Sequence, residues 1–300
     1  MYFACTAPGS SSFSADLWAS FLSNKEDSSS QQLFAVVDMA FDSKLVQRMR
    51  HASKGTPIAV RTPLSALAEH LPYLYGPLKN RGTVETLLQD AEGSPMVSFI
   101  ASNVALDSLV EALKALLLVK TNDGNRWPLR YADTRILPEL LALSSEGAFP
   151  LSSAIASWWW PDRMGDLKVF VADHCNQEDV APADHLFFND AQFGRMLTAA
   201  QPDAIIDQLY QACPDILDRW LPHQNFAKVR SALKELPAAC RGSAELEIRW
   251  CSLALTFNEP LSNIDWFSNA LQVSNSIGEL LARLDEIPDD VWEGAANGVV

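Results

Sequence analysis

The feature that most constrains this chain is a change in the spacing of its apolar residues. Up to about residue 172 they gather in short unbroken runs: Leu33-Phe-Ala-Val-Val ahead of Asp38, Pro57-Ile-Ala-Val60, Met96-Val-Ser-Phe-Ile-Ala101 and Lys168-Val-Phe-Val-Ala172. The first reads as a buried strand, and the other three are strand candidates. Helical spacing separates them, at Leu45, Val46 and Met49, at Leu64, Leu67, Ala68 and Leu71, over 83–89, and from Leu106 to Leu117. From about residue 189 only the helical period remains. Strands mixed with helices, then helices alone, predict an α/β fold: an N-terminal mixed-sheet α/β lobe followed by an α-helical C-terminal lobe. The expected boundaries are a flexible segment 1–30, an α/β domain 31–175, a helical lobe 189–287 and an acidic tail 288–300. A chain of 300 residues has room for both lobes at roughly 100–200 residues per domain.

Local chemistry sharpens this reading. Phe13, Leu17, Trp18 and Phe21 permit one short amphipathic helix inside the first segment. Asn103 is placed to cap the helix that follows the third strand. Leu118-Val-Lys-Thr, Asn122-Asp-Gly-Asn125 and Arg126-Trp-Pro-Leu-Arg-Tyr131 read as a hairpin, because Asp-Gly supplies positive φ. Pro128 cannot donate to a ladder, so its strand belongs at an edge or a bulge. Thr134 is a candidate cap for a helix carrying Ile136, Leu137, Leu140 and Leu141, with Pro138 tolerated in its first turn. Leu246, Trp250, Leu253, Ala254 and Phe257 form a helical stripe; the alternation Leu246, Ile248, Trp250 also permits a strand, but only the helical stripe extends to Phe257. Ser276-Ile-Gly-Glu279 is a capping box.

Charge is unevenly placed. Residues 1–165 hold 14 basic against 16 acidic side chains, and residues 166–300 hold 9 against 21. Clustered cations are what phosphate backbones and anionic membranes require, so neither partner is expected. The acidity suits a basic protein surface, or serves solubility alone. The cysteines are Cys5, Cys175, Cys213, Cys240 and Cys251, an odd set without a CxxC pair. Reduced thiols are expected, hence a cytoplasmic setting. No Lys or Arg precedes Lys25, and no apolar stretch approaches the ~20 residues of a membrane span, so neither a signal peptide nor a membrane anchor is expected.

Motifs of catalysis are not found: no Gly-x-Ser-x-Gly, P-loop, Gly-x-Gly-x-x-Gly or His-Glu-x-x-His occurs. Asp173-His-Cys175 with Asp184-His185 is the densest group of ligating side chains. His174 and Cys175 are adjacent, and a second cysteine pair is missing, so a polar loop is the preferred reading over zinc. No catalytic residue, metal or cofactor is assigned. His51, His70 and His223 sit in helical surroundings without a carboxylate partner.

Two constellations stand out. Trp158-Trp-Trp160 cannot turn all three indoles to one core. The alternatives are packing within the chain or contact with a partner, and Trp158, Trp159 and Trp160 join Trp250 and Phe257 as candidate partner-binding residues. In Arg130-Tyr-Ala-Asp-Thr-Arg135, two guanidiniums flank a carboxylate where a strand meets a helix. Asp133 can accept from the helix start and pair with either arginine, which makes a structural role the preferred reading.

Four segments of the chain resemble the family of type VI secretion adaptor/chaperone proteins, long catalogued as a domain of unknown function. Leu33-Phe-Ala-Val-Val-Asp38 is similar to that family's apolar strand ending in Asp. Leu71-Pro-Tyr-Leu-Tyr-Gly-Pro77 is similar to its Pro-Tyr-Leu segment. The helix from Asn103, the Asn122-Asp-Gly turn and Leu129-Arg-Tyr-Ala-Asp-Thr-Arg135 resemble its helix–hairpin–Arg-Phe-Tyr-Asp-Pro-Arg block, with Ala132 and Thr134 in place of the aromatic and the proline. Residues 155–160 stand where the family has an aromatic-containing segment. The resemblance covers about 33–165 and marks Asp38, Tyr73, Arg130, Asp133 and Arg135 as its structural signature. It implies a non-enzymatic adaptor that binds a secreted effector in the bacterial cytoplasm and helps load it onto the VgrG spike protein. The helical lobe would then offer the cargo an apolar groove rimmed by carboxylates. The rival readings are a homo-oligomer joined through Trp158–Trp160, and an enzyme with an unrecognised site near Asp173–His185.

Overall fold

The computed structural model describes residues 2–25, 30–41, 55–91, 93–144, 149, 151–172 and 186–297. It divides into two compact units, one of Cys5–Ala199 and one of Ala200–Val300 with Met1–Ala4. The division falls inside a single helix, Asp190–Ala212. The helix expected around Leu45, Val46 and Met49 lies outside the described residues.

The first unit is built on a six-stranded sheet in the order β2-β3-β1-β4-β7-β8. The strands are β1 (Gln32–Val37), β2 (Thr56–Pro57), β3 (Tyr73–Tyr75), β4 (Val97–Ser102), β7 (Ser157–Pro161) and β8 (Leu167–Val171). Every pairing in this sheet is antiparallel. A smaller sheet, β6-β5-β9, pairs β5 (Leu118–Lys120) antiparallel with β6 (Arg126–Pro128) and parallel with β9 (Leu186–Phe187). The mixed sheet expected of this lobe is therefore the small one. Pro128 lies on its edge strand, where a missing N–H leaves no ladder bond broken.

Both faces of the large sheet are covered over β1, β3, β4 and β7, which is why these strands read as unbroken apolar runs rather than alternating ones, whereas the edge strand β8 is largely exposed. Phe34, Val36, Leu74, Ile100, Trp158 and Trp160 enter one core. Leu33, Ala35, Val37, Tyr73, Tyr75, Phe99 and Trp159 enter the other. The second core is closed by helices α1 (Ser10–Lys25) and α2 (Arg81–Ala91), through Phe13, Leu17, Phe21, Val84, Leu87 and Leu88. The first is closed by α3 (Leu106–Lys114) and α4 (Leu137–Ser144), through Leu109, Leu113, Leu137 and Leu140.

Several expectations are corrected. The N-terminal segment expected to be flexible contains α1; Phe13, Leu17 and Phe21, spaced by four, give it a face to bury against the sheet. The expected strand Pro57–Val60 shrinks to Thr56–Pro57. Leu64–Leu71 forms a 3-10 turn, Ser65–His70, instead of an α-helix. Pro63 and Pro72 bound it closely, and the Thr62 hydroxyl competes for local backbone, donating to the Ala59 carbonyl at 2.7 Å and accepting from Leu64 N–H at 3.1 Å. Asn103 does not cap α3: the N-cap is Ala105, without a side-chain bond, and Ser102 Oγ accepts from Val104 N–H at 3.3 Å. The tail contains helix α10 (Asp289–Asn297), anchored by Trp292, whose ring lies 5.8 Å from Phe257.

The second unit packs α6 (Pro222–Glu235), α7 (Ala244–Thr256), α8 (Asp265–Val273), α9 (Ile277–Leu284) and α10, together with part of α5 (Asp190–Ala212). The stripe Leu246, Trp250, Leu253, Ala254, Phe257 is buried throughout; its first four members lie on α7, and Phe257 is the extended residue that ends the helix. Phe267 meets Trp250 edge-on at 5.8 Å and Phe257 at 5.3 Å. Ser276 caps α9 by accepting from Glu279 N–H at 3.3 Å, and Glu279 reaches back to Asn275 N–H at 2.7 Å, one residue beyond the cap itself.

Two substitutions test this architecture. Trp159→Ala removes a fully buried indole between the sheet and α1, and urea unfolding should show a loss of about 3–5 kcal/mol. Gly124, at φ +81 in the hairpin turn, has no atom within 4 Å of an added Cβ. Gly124→Ala therefore meets no clash, only the left-handed backbone cost, and should destabilise by about 1 kcal/mol in the same assay.

Candidate functional site

The signature residues come together at the end of β1. Asp38 leaves that strand with its side chain buried and accepts from Ala40 N–H at 3.0 Å. Arg130, just past β6, donates from Nε and Nη2 to Asp38 Oδ2 at 3.2 and 2.9 Å. Asp133, also buried, accepts from Arg135 Nε at 3.0 Å on Oδ1 and from Arg135 Nη2 at 2.8 Å on Oδ2. The Asp133 carbonyl accepts from Leu137 N–H at 3.0 Å at the start of α4, while its carboxylate takes Arg135 N–H. Thr134, the expected cap, donates its own N–H to the Pro95 carbonyl instead, at 2.9 Å. Both guanidiniums lie over the Phe41 ring, at 4.5 and 5.4 Å. Tyr73 pairs with Val37 and stacks on Tyr75 at 6.4 Å, so it belongs to the sheet beside this cluster.

The electrostatics are those of a buried structural lock. Burial pushes the Asp38 carboxyl above its ordinary value, against the pull of the Arg130 guanidinium and the Ala40 N–H. Burial, helped by the nearby Asp38 charge, pushes the Tyr131 hydroxyl well above its usual range. Its ring lies edge-on to Trp158 at 6.1 Å, and its hydroxyl has no hydrogen-bond partner among the described residues.

The candidate partner-binding aromatics are all interior. Trp158 and Trp159 are fully buried and Trp160 is 7% exposed. Successive strand positions send them to opposite faces of one sheet, where Trp158 Nε1 donates to Ser98 Oγ at 3.0 Å and Trp159 Nε1 to Ser20 Oγ at 3.1 Å. Trp250 and Phe257 lie in the helical core. These five side chains support surfaces without forming one, which removes the physical basis for an oligomer joined through Trp158–Trp160.

One concave feature of the helical unit is a cleft of about 300 Å³ lined by Ala227, Lys228, Ser231, Ala232, Glu235, Ala254, Glu259, Pro260 and Leu261. Of these only Ala254, a member of the apolar stripe, stands out in the sequence. Only the seven-residue spacing of Lys228 and Glu235 on α6 hints at a shared face. Lys228 Nζ donates to the carbonyls of Phe257 at 2.8 Å and of Ala254 and Asn258 at 3.4 Å, and lies 4.1 Å from the Trp220 ring centre. Burial, with Arg219 nearby, pulls its ammonium below the usual lysine value. Burial pushes Glu235 up, while Ser262 N–H donates to it at 3.3 Å. The lining combines alanine, proline and leucine side chains with the Lys228 ammonium, the Ser231 hydroxyl and the carboxylates of Glu235 and Glu259. The neighbouring Cys251 thiol is pushed up to about 12 by burial, with Glu247 and Glu235 adding to it.

Among the described residues no cluster of three or more His, Cys, Asp or Glu side chains can hold a metal, and no helix is long and apolar enough to cross a membrane. The group from Asp173 to His185 lies outside the described residues.

Two substitutions separate the members of the lock. Asp133→Ala takes both carboxylate bonds from the mostly buried Arg135 and should cost about 3–5 kcal/mol. Asp38→Asn keeps an acceptor for Ala40 and leaves a half-exposed arginine, so its cost should be about 1 kcal/mol. Its pH dependence carries a sign. A carboxyl raised by folding from 3.8 contributes stability below that value and loses it as pH rises through the folded value. The advantage of wild type over Asp38→Asn should therefore be smaller at about pH 7 than at about pH 4 in matched urea titrations.

No curated protein and no solved structure matches this chain. Residues 33–148, from the start of the β1 apolar run past the Asp38–Arg130 and Asp133–Arg135 pairs to the end of α4, match the family described as "Domain of unknown function (DUF4123)".

Proposed function

We propose that this protein is a non-enzymatic adaptor/chaperone that binds a type VI secretion effector in the cytoplasm and helps load it onto the VgrG spike. The observation that carries the reading is the family match over 33–148. It covers three of the four segments that resemble the adaptor family; the Asp38–Arg130 pair ties two of these together, and Asp133–Arg135 braces the second from within. Their bonding suits a scaffold, because each carboxylate is spent on an arginine and on backbone N–H groups. The cargo surface is assigned to the helical unit. Its residues 200–300 carry 15 acidic against 7 basic side chains, a field that attracts a basic protein segment. It also holds a cleft with small apolar walls and carboxylates at its rim.

Co-purification of the tagged chain from its native cytoplasm, followed by mass spectrometry, tests the reading. Recovery of a toxin-like protein together with a spike component is the expected result. Recovery of the chain alone, at low salt and with the secretion system expressed, overturns it. For the captured pair, raising salt should slow association several-fold and change dissociation little, because steering acts before contact. An on-rate indifferent to salt contradicts the charge-steered form of the proposal.

A further inference from the structure

The cleft of the helical unit has a chemistry narrower than "acidic and apolar". About 300 Å³ lies at the lower end of small-molecule pockets, enough for one long side chain. Its walls are the small residues Ala227, Ala232 and Ala254 with Pro260 and Leu261, a surface that suits methylenes. The cation in its lining is already engaged: Lys228 serves the carbonyls at the end of α7 and the Trp220 ring. Glu235 is partly desolvated, with Ser262 its donor, and Glu259 is exposed with no pairing among the described residues. Two glutamates therefore line a space whose lysine is turned to other acceptors.

We propose that this cleft takes a single basic side chain, arginine in preference to lysine, presented by a segment of the partner protein, with its methylenes on the alanine and proline walls and its guanidinium between Glu235 and Glu259. Arginine is preferred because its planar fork reaches two carboxylates at once, whereas an ammonium acts as a point charge. A cation at Glu235 also offsets the cost of burying that carboxylate. The identification of the partner as secreted cargo rests on the adaptor reading; the arginine specificity rests on the cleft alone.

The test is a titration of the ¹⁵N-labelled full chain with N-acetyl-arginine amide, with N-acetyl-citrulline amide as the uncharged control of the same shape. Saturable amide shifts at Ala232, Glu235 and Ser262 with arginine, absent with citrulline, are expected. The double variant Glu235→Gln, Glu259→Gln should raise the half-saturation concentration about tenfold or more. Glutamine keeps an acceptor for Ser262, so an unchanged spectrum elsewhere verifies the fold. Equal shifts with citrulline, or an arginine response untouched by the double variant, overturn the proposal. Capture of the co-purifying effector separates the two readings. A double variant that captures it as tightly as wild type removes the cleft and leaves the adaptor standing. A wild type that captures nothing removes the adaptor, while the titration still judges the cleft.

Discussion

Where a sheet is covered on both faces, its inner strands must send alternate residues into different cores, and most of the first unit follows from that demand. Phe34 and Val36 face one way while Leu33, Ala35 and Val37 face the other; Trp158 and Trp160 oppose Trp159 in the same manner. Three adjacent tryptophans are tolerable only because each face has its own helical cover and two of the indole N–H groups find serine hydroxyls. Antiparallel pairing of β7 between β4 and β8 fixes the register. A slip of one residue would exchange Trp159 with a larger pair and reverse every side chain.

The ion pairs beside this sheet stabilise less than their number suggests. Taking Asp38 and Asp133 out of water costs most of what their arginines return. Their value lies in direction. Arg130 ties the hairpin exit to the end of β1, and Thr134 N–H ties the same stretch to Pro95 ahead of β4. A misplaced strand would leave a buried carboxylate without its partner, a penalty larger than the net worth of the pair. The same contacts explain why the residues that mark the family resemblance need not touch a ligand.

The helical unit follows another logic. Its core is aromatic, with Phe267 edge-on to Trp250, Phe257 and Trp266. Its surface carries the charge. Lys228 is the hinge between the two, because its ammonium finishes a helix whose last carbonyls have no helical partner. That use of the cation leaves the neighbouring carboxylates to act on whatever enters the cleft.

Local chemistry was legible wherever it is decided by neighbours in sequence. The apolar runs at β1 and β4, the Asp-Gly turn, the helical stripe of α7 and the Ser276 cap depend on period, φ and short-range hydrogen bonds. So did the two-part division into strands with helices and then helices alone. What needed the tertiary structure was every question of which side faces what. Burial of Trp158–Trp160 on two faces depends on covers contributed by residues 10–25 and 137–144, far away in the chain. Asp38 and Arg130 are 92 residues apart, and no local spacing links them. The short strand Tyr73–Tyr75 exists because β1 offers it an edge, and the cleft exists because α6 meets the loop after α7. Sequence determined which segments can bury an apolar face; only the fold decided which faces remain open to a partner, because exposure depends on what packs against a residue and not on the residue itself.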